Sequence, residues 1–313
     1  MRRYFSVVIC FCATLFLPLE ASSFSFTGHV IIAEVAYDNL SQPAKQKADR
    51  LASLIWNQLP LAEQMKLDKH YPTATTFAKI ALLPDTWRKW HLQTIFRDFS
   101  ASVPQNLLPY AYQNTQGWHY INLPYPTTSL CRTIQPNNVT WAIPILEQSM
   151  HQSHDENQQA VIMVLLEHFV GDSEQPLHAI SRVNNQCQDD RGGNQFCLRM
   201  NARGRCTKNL HSLWDNAVGF IKPHQDIQRA AFRLEQRYPK TEFTSQLHNT
   251  NPLSWAKTNL GYAAFIYSLS ENEKPTPAYY REGQTIAATQ LALAGYRLAA
   301  LLNASFVTNP PAG

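Results

Sequence analysis

Apolar residues recur along most of the chain at the three- and four-residue spacing of amphipathic helices. The clearest case is 43–59, where Ala44, Ala48, Leu51 and Ile55 mark one face. Ser41 fits an N-cap for this helix. Runs of β-branched residues are rare, so the pattern predicts a mainly helical protein. Further helices are predicted over 28–40, 73–83, 155–171, 252–270 and 277–303.

Two stretches interrupt the helical pattern, at 100–140 and 181–210. They contain Pro, Gly and Asn together with all the cysteines that follow residue 23. We find no internal repeat and no low-complexity linker that would divide the chain. The sequence therefore predicts a single all-α domain with long loops that disulfides staple together.

The N-terminal segment, residues 1–23, has the pattern of a secretory signal peptide. A basic start precedes an apolar run, and Ala21 and Ser23 place small side chains before a cleavage point. We expect cleavage after Ser23, a mature domain of residues 24–313, and a secreted or periplasmic location. Nothing later in the chain reaches roughly 18 uninterrupted apolar residues, so we expect no membrane span.

The cysteine count supports this location. Signal cleavage removes two cysteines and leaves four: Cys131, Cys187, Cys197 and Cys206. In an oxidising compartment an even number favours two disulfides, and the sequence leaves all three pairings open. A zinc site made of the four cysteines is the alternative, which the absence of a C-x2-C pair disfavours.

The net charge limits the partners. Without Arg2, Arg3 and Glu20 the chain has 25 basic and 22 acidic residues. So mild a charge excludes a protein that holds duplex nucleic acid on a large basic face, and we expect no stable duplex binding. An enzyme that contacts phosphate in one small cleft remains compatible with it.

Two His/Asp pairs with a spacing of four residues carry the candidate chemistry. They are His168 with Asp172 and His211 with Asp215. Residues i and i+4 project from the same face of a helix, and the first pair continues an apolar stripe. Burial of these groups is costly unless they are paired or bind a metal. Either pair alone fits a hydrogen-bonded helix end, but together they indicate zinc ligands.

Other candidate ligands lie in short segments flanked by apolar residues or glycine. Taken singly, His29 fits the start of a surface helix, Asp85 a helix cap and His119 one face of a strand. His178 follows shortly after Asp172, and the joint pattern favours metal ligation. The remaining histidines lie mostly in polar stretches and are interpreted as surface or structural residues: His70, His91, His151, His154, His224 and His248.

Together these segments resemble the zinc-dependent single-strand-specific nucleases and 3'-nucleotidases, which share a superfamily with zinc phospholipase C. The segments occur in the family's order, and the C-terminal third offers only compatible helices. They are Thr27-Gly28-His29, Leu83-Pro84-Asp85, Trp118-His119-Tyr120-Ile121-Asn122, His168-Phe169-Val170-Gly171-Asp172, Gln175-Pro176-Leu177-His178, Gly192-Gly193-Asn194 and Asn209-Leu210-His211-Ser212-Leu213-Trp214-Asp215.

The resemblance implies a phospholipase C/nuclease-like fold and a cluster of three Zn²⁺ ions. The family usually has Trp at the mature N-terminus, where this chain has Phe24, but main-chain atoms bind the metal there. The implied ligands are Asp85, His119, His168 and Asp172 for one ion, His178, His211 and Asp215 for a second, and His29, the bridging Asp172 and the terminal amine and carbonyl of Phe24 for the third.

The resemblance also implies roles around the cluster. Asp85 would orient the attacking water, while Arg88 and Asn194 would contact the phosphate. Tyr120 would stack on a base and Asn122 would hydrogen-bond the edge of that base. Stacking explains a preference for unpaired strands, because a base in a duplex has no free face.

The implied function is that of a hydrolase. A monomeric endonuclease would cleave single-stranded DNA and RNA to 5'-phosphorylated products and would also act on 3'-nucleotides. A zinc phospholipase C is the alternative, although that branch typically ends its last ligand segment with Glu where this chain has Asp215. A non-catalytic, exported zinc-binding protein is the third hypothesis. A complete ligand set that leaves coordination positions open for water favours an enzyme instead.

Overall fold

The protein is described by a computed structural model that covers residues 24–127, 131 and 134–307. The predicted signal peptide, residues 1–23, lies outside the described residues. The α-helices are α1 (Phe26–Asp38), α2 (Gln42–Gln58), α3 (Leu61–His70), α4 (Thr76–Ile80), α5 (Leu83–Trp87), α6 (Leu92–Asp98), α7 (Val139–Gln152), α8 (Glu156–Glu174), α9 (Pro176–Ala179), α10 (Leu210–Asp215), α11 (Ile227–Arg237), α12 (Thr244–His248), α13 (Pro252–Asn259), α14 (Ala263–Ile266) and α15 (Pro277–Val307). Short 3-10 helices occupy Gln105–Tyr110, Gln116–His119, Ala217–Gly219, Lys240–Phe243 and Leu260–Tyr262. The strands are β1 (Leu123–Tyr125), β2 (Ile180–Arg182), β3 (Cys197–Met200) and β4 (Cys206–Asn209).

Helix α8 is the central element of the fold. Every residue from Gln159 to Glu174 is buried, as expected for a helix that is apolar around most of its circumference. Its first turn is capped by the Asp155 carboxylate, which accepts backbone N–H groups of Asn157 and Gln158. Helices α7, α15 and α2 pack around it. The polar residues near its C-terminal end therefore lie inside the protein.

Helix α1 forms a second buried layer against α15, α4 and α11. Its residues from Gly28 to Ala36 are all buried. The axes of α1 and α15 approach so closely that a Cβ on Gly295 would lie 2.5 Å from Cγ1 of Val35. This close contact fixes α1, and with it His29, relative to the core.

A buried polar cluster joins α15 to the end of α8. The Glu174 carboxylate forms a salt bridge with the Arg297 guanidinium, and both side chains are buried. The Gln290 amide donates to Oε2 of Glu174 at 3.0 Å. The guanidinium also lies over the Trp255 ring, 4.6 Å from the centroid. These contacts join the C-terminal third of the chain to the end of α8 through paired buried groups.

The loops hold two small sheets and two disulfides. Strands β1 and β2 pair in parallel, and β3 and β4 pair antiparallel with an irregular register. The disulfides are Cys131–Cys187 and Cys197–Cys206. The predicted stapling of the loops is thus confirmed, and the alternative of a four-cysteine zinc site is wrong.

The prediction of a mainly helical domain is confirmed, whereas several helix boundaries were wrong. The predicted Ser41 cap accepts the Ala44 N–H. The predicted helix over 73–83 is shorter and breaks after Ile80, and the one over 252–270 breaks after Asn259. The helices that were not predicted include α3, α6, α7, α11 and α12. Helix α7 contains Pro144, which breaks the sequence signal although the helix continues.

Helix α15 is the longest element among the described residues. By length and composition, its residues Pro277–Phe306 could cross a membrane. However, 83% of the most apolar window is buried inside the fold, as in the core helix of a globular domain. The apolar character of α15 is accounted for by its packing against α1 and α8.

We expect Gly295→Ala to destabilise the fold. The added methyl group would meet Val35 and the main-chain oxygen of Ile32 at 3.0 Å, so the two helices would have to separate. Overpacking of this kind costs about 1 to 3 kcal/mol. Urea unfolding monitored by circular dichroism measures the difference.

Gly261→Ala is the matched control for this change. A Cβ at Gly261 meets no atom within 4 Å. The Gly261→Ala variant gains the same backbone rigidity without the clash, so its urea midpoint should equal or exceed that of the wild type. Equal midpoints for the two variants would contradict the close approach of α1 and α15.

Candidate metal centre

The centre is built around Asp172, a fully buried carboxylate on α8. Its Oδ2 lies 2.9 Å from Nδ1 of His119 and 3.3 Å from Nε2 of His168. Its Oδ1 lies 3.4 Å from Nε2 of His29 and 3.6 Å from Nδ1 of His178. Burial alone would raise the pKa of Asp172, but the surrounding imidazoles hold that pKa well below its ordinary value. Asp172 is therefore an ionised hub for histidines from four elements.

Backbone carbonyls orient three of the imidazole rings. A carbonyl oxygen can only accept, so in a neutral ring Nδ1 carries the proton and Nε2 keeps its lone pair for a metal. The pairs are His168 Nδ1 with Ala81 O at 2.9 Å, His178 Nδ1 with His119 O at 2.7 Å, and His211 Nδ1 with Gly192 O at 2.6 Å.

Three groups of side chains place their ligand atoms within 4.8 Å of one another. His168 belongs to two of them, so it also lies next to His29, a neighbour that the sequence did not indicate. The two rings stack with centroids 3.8 Å apart. The groups are His29, His168 and Asp172; Asp85, His119 and His168; and His178, His211 and Asp215.

Burial sets the protonation of these groups. It lowers the pKa of His211 to about 3 and that of His168 well below its ordinary value, so both rings are neutral, as metal ligands require. It raises the pKa of Asp85, and it raises that of Asp215 well above its ordinary value. The ionised form of these acids is disfavoured without a cation beside them, which is the condition a bound metal relieves.

Several buried ligand atoms have no hydrogen-bond partner in the part of the chain that the structure describes. Such atoms are costly to bury unless something else engages them. Imidazole nitrogens and carboxylate oxygens are the donors that zinc prefers, and the residues present therefore fit a zinc cluster. These atoms are both carboxylate oxygens of Asp85, Nε2 of His119, Oδ1 of Asp172 and Nε2 of His178.

An open cleft of about 540 Å³ lies above the centre. The structure brings the predicted substrate residues together with predicted metal ligands along the walls of this cleft. The Asn194 amide also donates to the carbonyl of Arg191 at 2.9 Å. The predicted residues that line the cleft are Asp85, His119, His178 and His211 from the ligand groups, together with Arg88, Tyr120, Asn122 and Asn194.

Phe24 lies beside the centre rather than in the cleft. Its side chain is fully buried. The backbone N–H of the next residue, Ser25, donates to the carbonyl of Asp215 at 2.7 Å. The predicted start of the mature chain is thus held against the last ligand segment, on α10.

The structural alternatives for single residues are wrong at two positions. His29 is fully buried rather than at a surface, and His119 ends a 3-10 helix rather than lying on a strand. Among the histidines assigned to the surface, His151 is half-buried and the others are exposed, as predicted.

Sequence reasoning missed polar residues that complete the site. Gln175 donates from Nε2 to Oδ1 of Asp215 at 2.7 Å and caps α9. Its position in the segment that ends at His178 was the available signal. Of the others, Gln116 begins the 3-10 helix Gln116–His119 and the rest lie outside the named helices and strands, and no periodic pattern identified them. These additional cleft residues are Gln116, Gln135, Asp189 and Arg191.

Comparison with known proteins agrees with this geometry. A search of curated proteins gave no match. The family model described as S1/P1 Nuclease matches residues 24–307, a range that includes every ligand group and every cleft residue described above. The chain therefore belongs to the S1/P1 nuclease family.

Proposed function

We propose that the protein is an exported, zinc-dependent endonuclease that hydrolyses single-stranded DNA and RNA to 5'-phosphorylated products. We propose that it also removes the phosphate from 3'-nucleotides. The family membership gives the nuclease activity. The observation that carries the finer proposal is the buried Asp172 hub, which joins three donor groups beneath one open cleft.

The three groups of candidate ligands would hold three zinc ions. We assign Asp85, His119, His168 and Asp172 to the first, His178, His211 and Asp215 to the second, and His29, Asp172 and the amine and carbonyl of Phe24 to the third. Bound zinc neutralises phosphate charge and makes water a better nucleophile near neutral pH.

Asp85 is the residue best placed to orient the attacking water. Its side chain is 4% exposed at the wall of the cleft, and neither oxygen has a hydrogen-bond partner among the described residues. One oxygen is then available to a metal and the other to a water proton. A carboxylate so placed fixes the direction of attack on the phosphorus.

Arg88 and Asn194 are assigned to the scissile phosphate. Both line the cleft with the ligands. A guanidinium keeps its charge at any working pH and offers paired N–H donors that match two phosphate oxygens. The amide of Asn194 is held by the Arg191 carbonyl, so its orientation is set before substrate binds.

Tyr120 and Asn122 are assigned to the base. Both are half-buried and line the same cleft. An aromatic face stacks on any unpaired base, whereas a paired and stacked base has no face to offer. The amide of Asn122 supplies both a donor and an acceptor to the base edge. This pair supports the preference for single strands.

Export and the monomeric state complete the proposal. The two disulfides are those of a protein that matures outside the reducing cytosol. The family match begins at residue 24, the residue that follows the predicted cleavage point. We propose cleavage after Ser23 and a secreted or periplasmic monomer.

The first prediction concerns metal content. The mature protein should contain three zinc ions per chain by mass spectrometry of metals, and a chelator should abolish cleavage of single-stranded DNA, RNA and a 3'-mononucleotide. His211→Ala should retain two ions, because its group loses an imidazole. His248→Ala, which changes an exposed histidine outside the centre, should retain three. One zinc or none in active enzyme, or cleavage of phosphatidylcholine alone, would contradict the proposal.

The second prediction concerns the N-terminus. N-terminal sequencing of the exported protein should start at Phe24, and one extra residue before Phe24 should remove most of the activity while the protein stays folded. The physical reason is that an amide nitrogen has no free lone pair to give a metal. The same residue added at the C-terminus is the control and should have no effect. Full activity of the N-terminally extended form would exclude the terminal amine as a ligand.

The third prediction separates chemistry from base binding. Asp85→Asn should depress turnover on all substrates by about a hundredfold or more, the usual effect of losing a positioned acid/base group. Tyr120→Ala removes stacking worth about 1 to 3 kcal/mol per base. It should weaken binding of oligonucleotides and 3'-nucleotides and should leave a phosphodiester without a base almost unaffected. Equal losses on both substrate types, with zinc content intact, would remove Tyr120 from the base site.

A further inference from the structure

Another buried carboxylate, that of Asp190, is bonded to the glycine loop beside His211 and belongs to none of the candidate ligand groups. It is 8% exposed, and it does not line the cleft although its sequence neighbours on both sides do. Its Oδ1 accepts four hydrogen bonds. The donors are the Arg182 N–H at 2.9 Å, the Gly193 N–H at 3.0 Å, the Ser181 hydroxyl at 3.0 Å and the Tyr267 hydroxyl at 3.1 Å.

These bonds fix the loop of Gly192 and Gly193. Asp190 holds the N–H of Gly193 directly. The Ser181 hydroxyl, which donates to Asp190, accepts the N–H of Gly192 at 2.9 Å. Both peptide groups of the loop are therefore anchored to one carboxylate, either directly or through one hydroxyl.

The loop leaves little space for any other path. Gly192 has φ +60°, and a Cβ there would lie 2.1 Å from the carbonyl oxygen of Leu177. A glycine in this conformation gains no restraint from its own side chain, so the position of its carbonyl depends on neighbouring anchors. Asp190 and Ser181 supply those anchors.

The carbonyl of Gly192 is the acceptor for Nδ1 of His211, at 2.6 Å. Partners of this kind fix the orientation and tautomer of a metal-binding imidazole. The same loop leads into Asn194, which lines the cleft. Four groups in series thus connect a carboxylate outside the centre to the ring of a proposed zinc ligand: Asp190, Ser181, Gly192 and His211.

We propose that Asp190 is a positioning residue for the zinc ion held by His178, His211 and Asp215. It acts through the shape of the Gly192–Asn194 loop, by means of the acceptor at Oδ1. This inference rests on the proposed function, because it concerns one of the three zinc ions assigned there.

Tyr267 connects the hydrogen bonds around Asp190 to the C-terminal third of the chain. Its hydroxyl donates to Asp190 and accepts the Arg182 N–H at 3.2 Å. Its ring stacks on Tyr125, with centroids 5.8 Å apart and an angle of 9° between the planes. Burial raises the pKa of the Tyr267 phenol well above its ordinary value, so the hydroxyl remains a donor. Tyr267→Phe should therefore loosen the loop without opening a cavity.

The structure offers a sharp pair of variants at Asp190. Asp190→Asn keeps an oxygen acceptor at the position of Oδ1, and its NH₂ group replaces Oδ2, which has no hydrogen-bond partner among the described residues. Asp190→Ala removes the acceptor. Glu34→Ala is the matched control, because Glu34 is also a buried carboxylate that anchors a backbone N–H, that of Thr75 at 3.0 Å, away from this loop.

The experiment measures zinc retained per chain by the intact mature protein during titration with a chelator, together with the thermal midpoint of each metal-free variant. Asp190→Ala should lose one of its three zinc ions at about 10- to 100-fold lower chelator concentration than the wild type. Losses of this size are typical when a group that orients a metal-binding side chain is removed. Asp190→Asn should retain zinc within about threefold of the wild type, and Tyr267→Phe should lie between the two. Glu34→Ala should lower the metal-free midpoint and leave zinc retention unchanged.

Three outcomes would count against the positioning role. Wild-type zinc retention in Asp190→Ala would reject it. Equal losses in the Asn and Ala variants would reject the acceptor at Oδ1 as its basis. Equal losses in Glu34→Ala would show a general effect of stability. If the wild type binds zinc and one of these three outcomes is found, the positioning role is rejected and the proposed function stands. If the wild type binds no zinc, the positioning role and the proposed function are both rejected.

Discussion

The fold depends on one electrostatic constraint, which is the burial of the Asp172 carboxylate among four imidazoles. An ionised carboxylate in the interior is unfavourable unless charges or hydrogen bonds compensate it. The four rings that surround it come from α1, the 3-10 helix Gln116–His119, α8 itself and α9. These elements must therefore meet at Asp172. The packing of α1 against α8 and the turn into α9 bring the rings to the two oxygens of this carboxylate.

Main-chain carbonyl groups position three imidazole rings of the candidate centre. Carbonyl oxygens of Ala81, His119 and Gly192 each accept an imidazole Nδ1. The precision of the centre therefore depends on the paths of the loops. Two restraints fix these paths near α10: Cys197–Cys206 joins the strands β3 and β4, which precede this helix, and Asp190 accepts the N–H of Gly193 in the neighbouring glycine loop.

The sequence predicted the features that depend on the spacing of residues within one helix. The stripe that ends in His168 and Asp172 identified both α8 and the hub, because residues four apart share a helix face whatever surrounds them. The roles of Asp190 and Tyr267 could not be predicted in this way, since the two residues lie 77 positions apart and meet only through tertiary packing. Helix α7 was missed for a related reason: Pro144 signals a break, but packing against α8 continues the helix. The disulfide pairing likewise needed the loop geometry.

The candidate ligands and the residues on the rim of the cleft differ in burial. Substitutions in these two regions should therefore affect stability to different degrees. The side chains of the three candidate ligand groups are buried and are brought together by the fold, so a metal that binds them would add its binding free energy to that of folding. Tyr120, Asn122 and Arg88 are half-buried where they line the cleft. A substitution of one of these three side chains therefore removes less buried surface than a substitution of a candidate ligand. A substitution among the candidate ligands changes buried packing and the electrostatics of the centre together, and Phe24, which is fully buried, belongs with the centre in this respect.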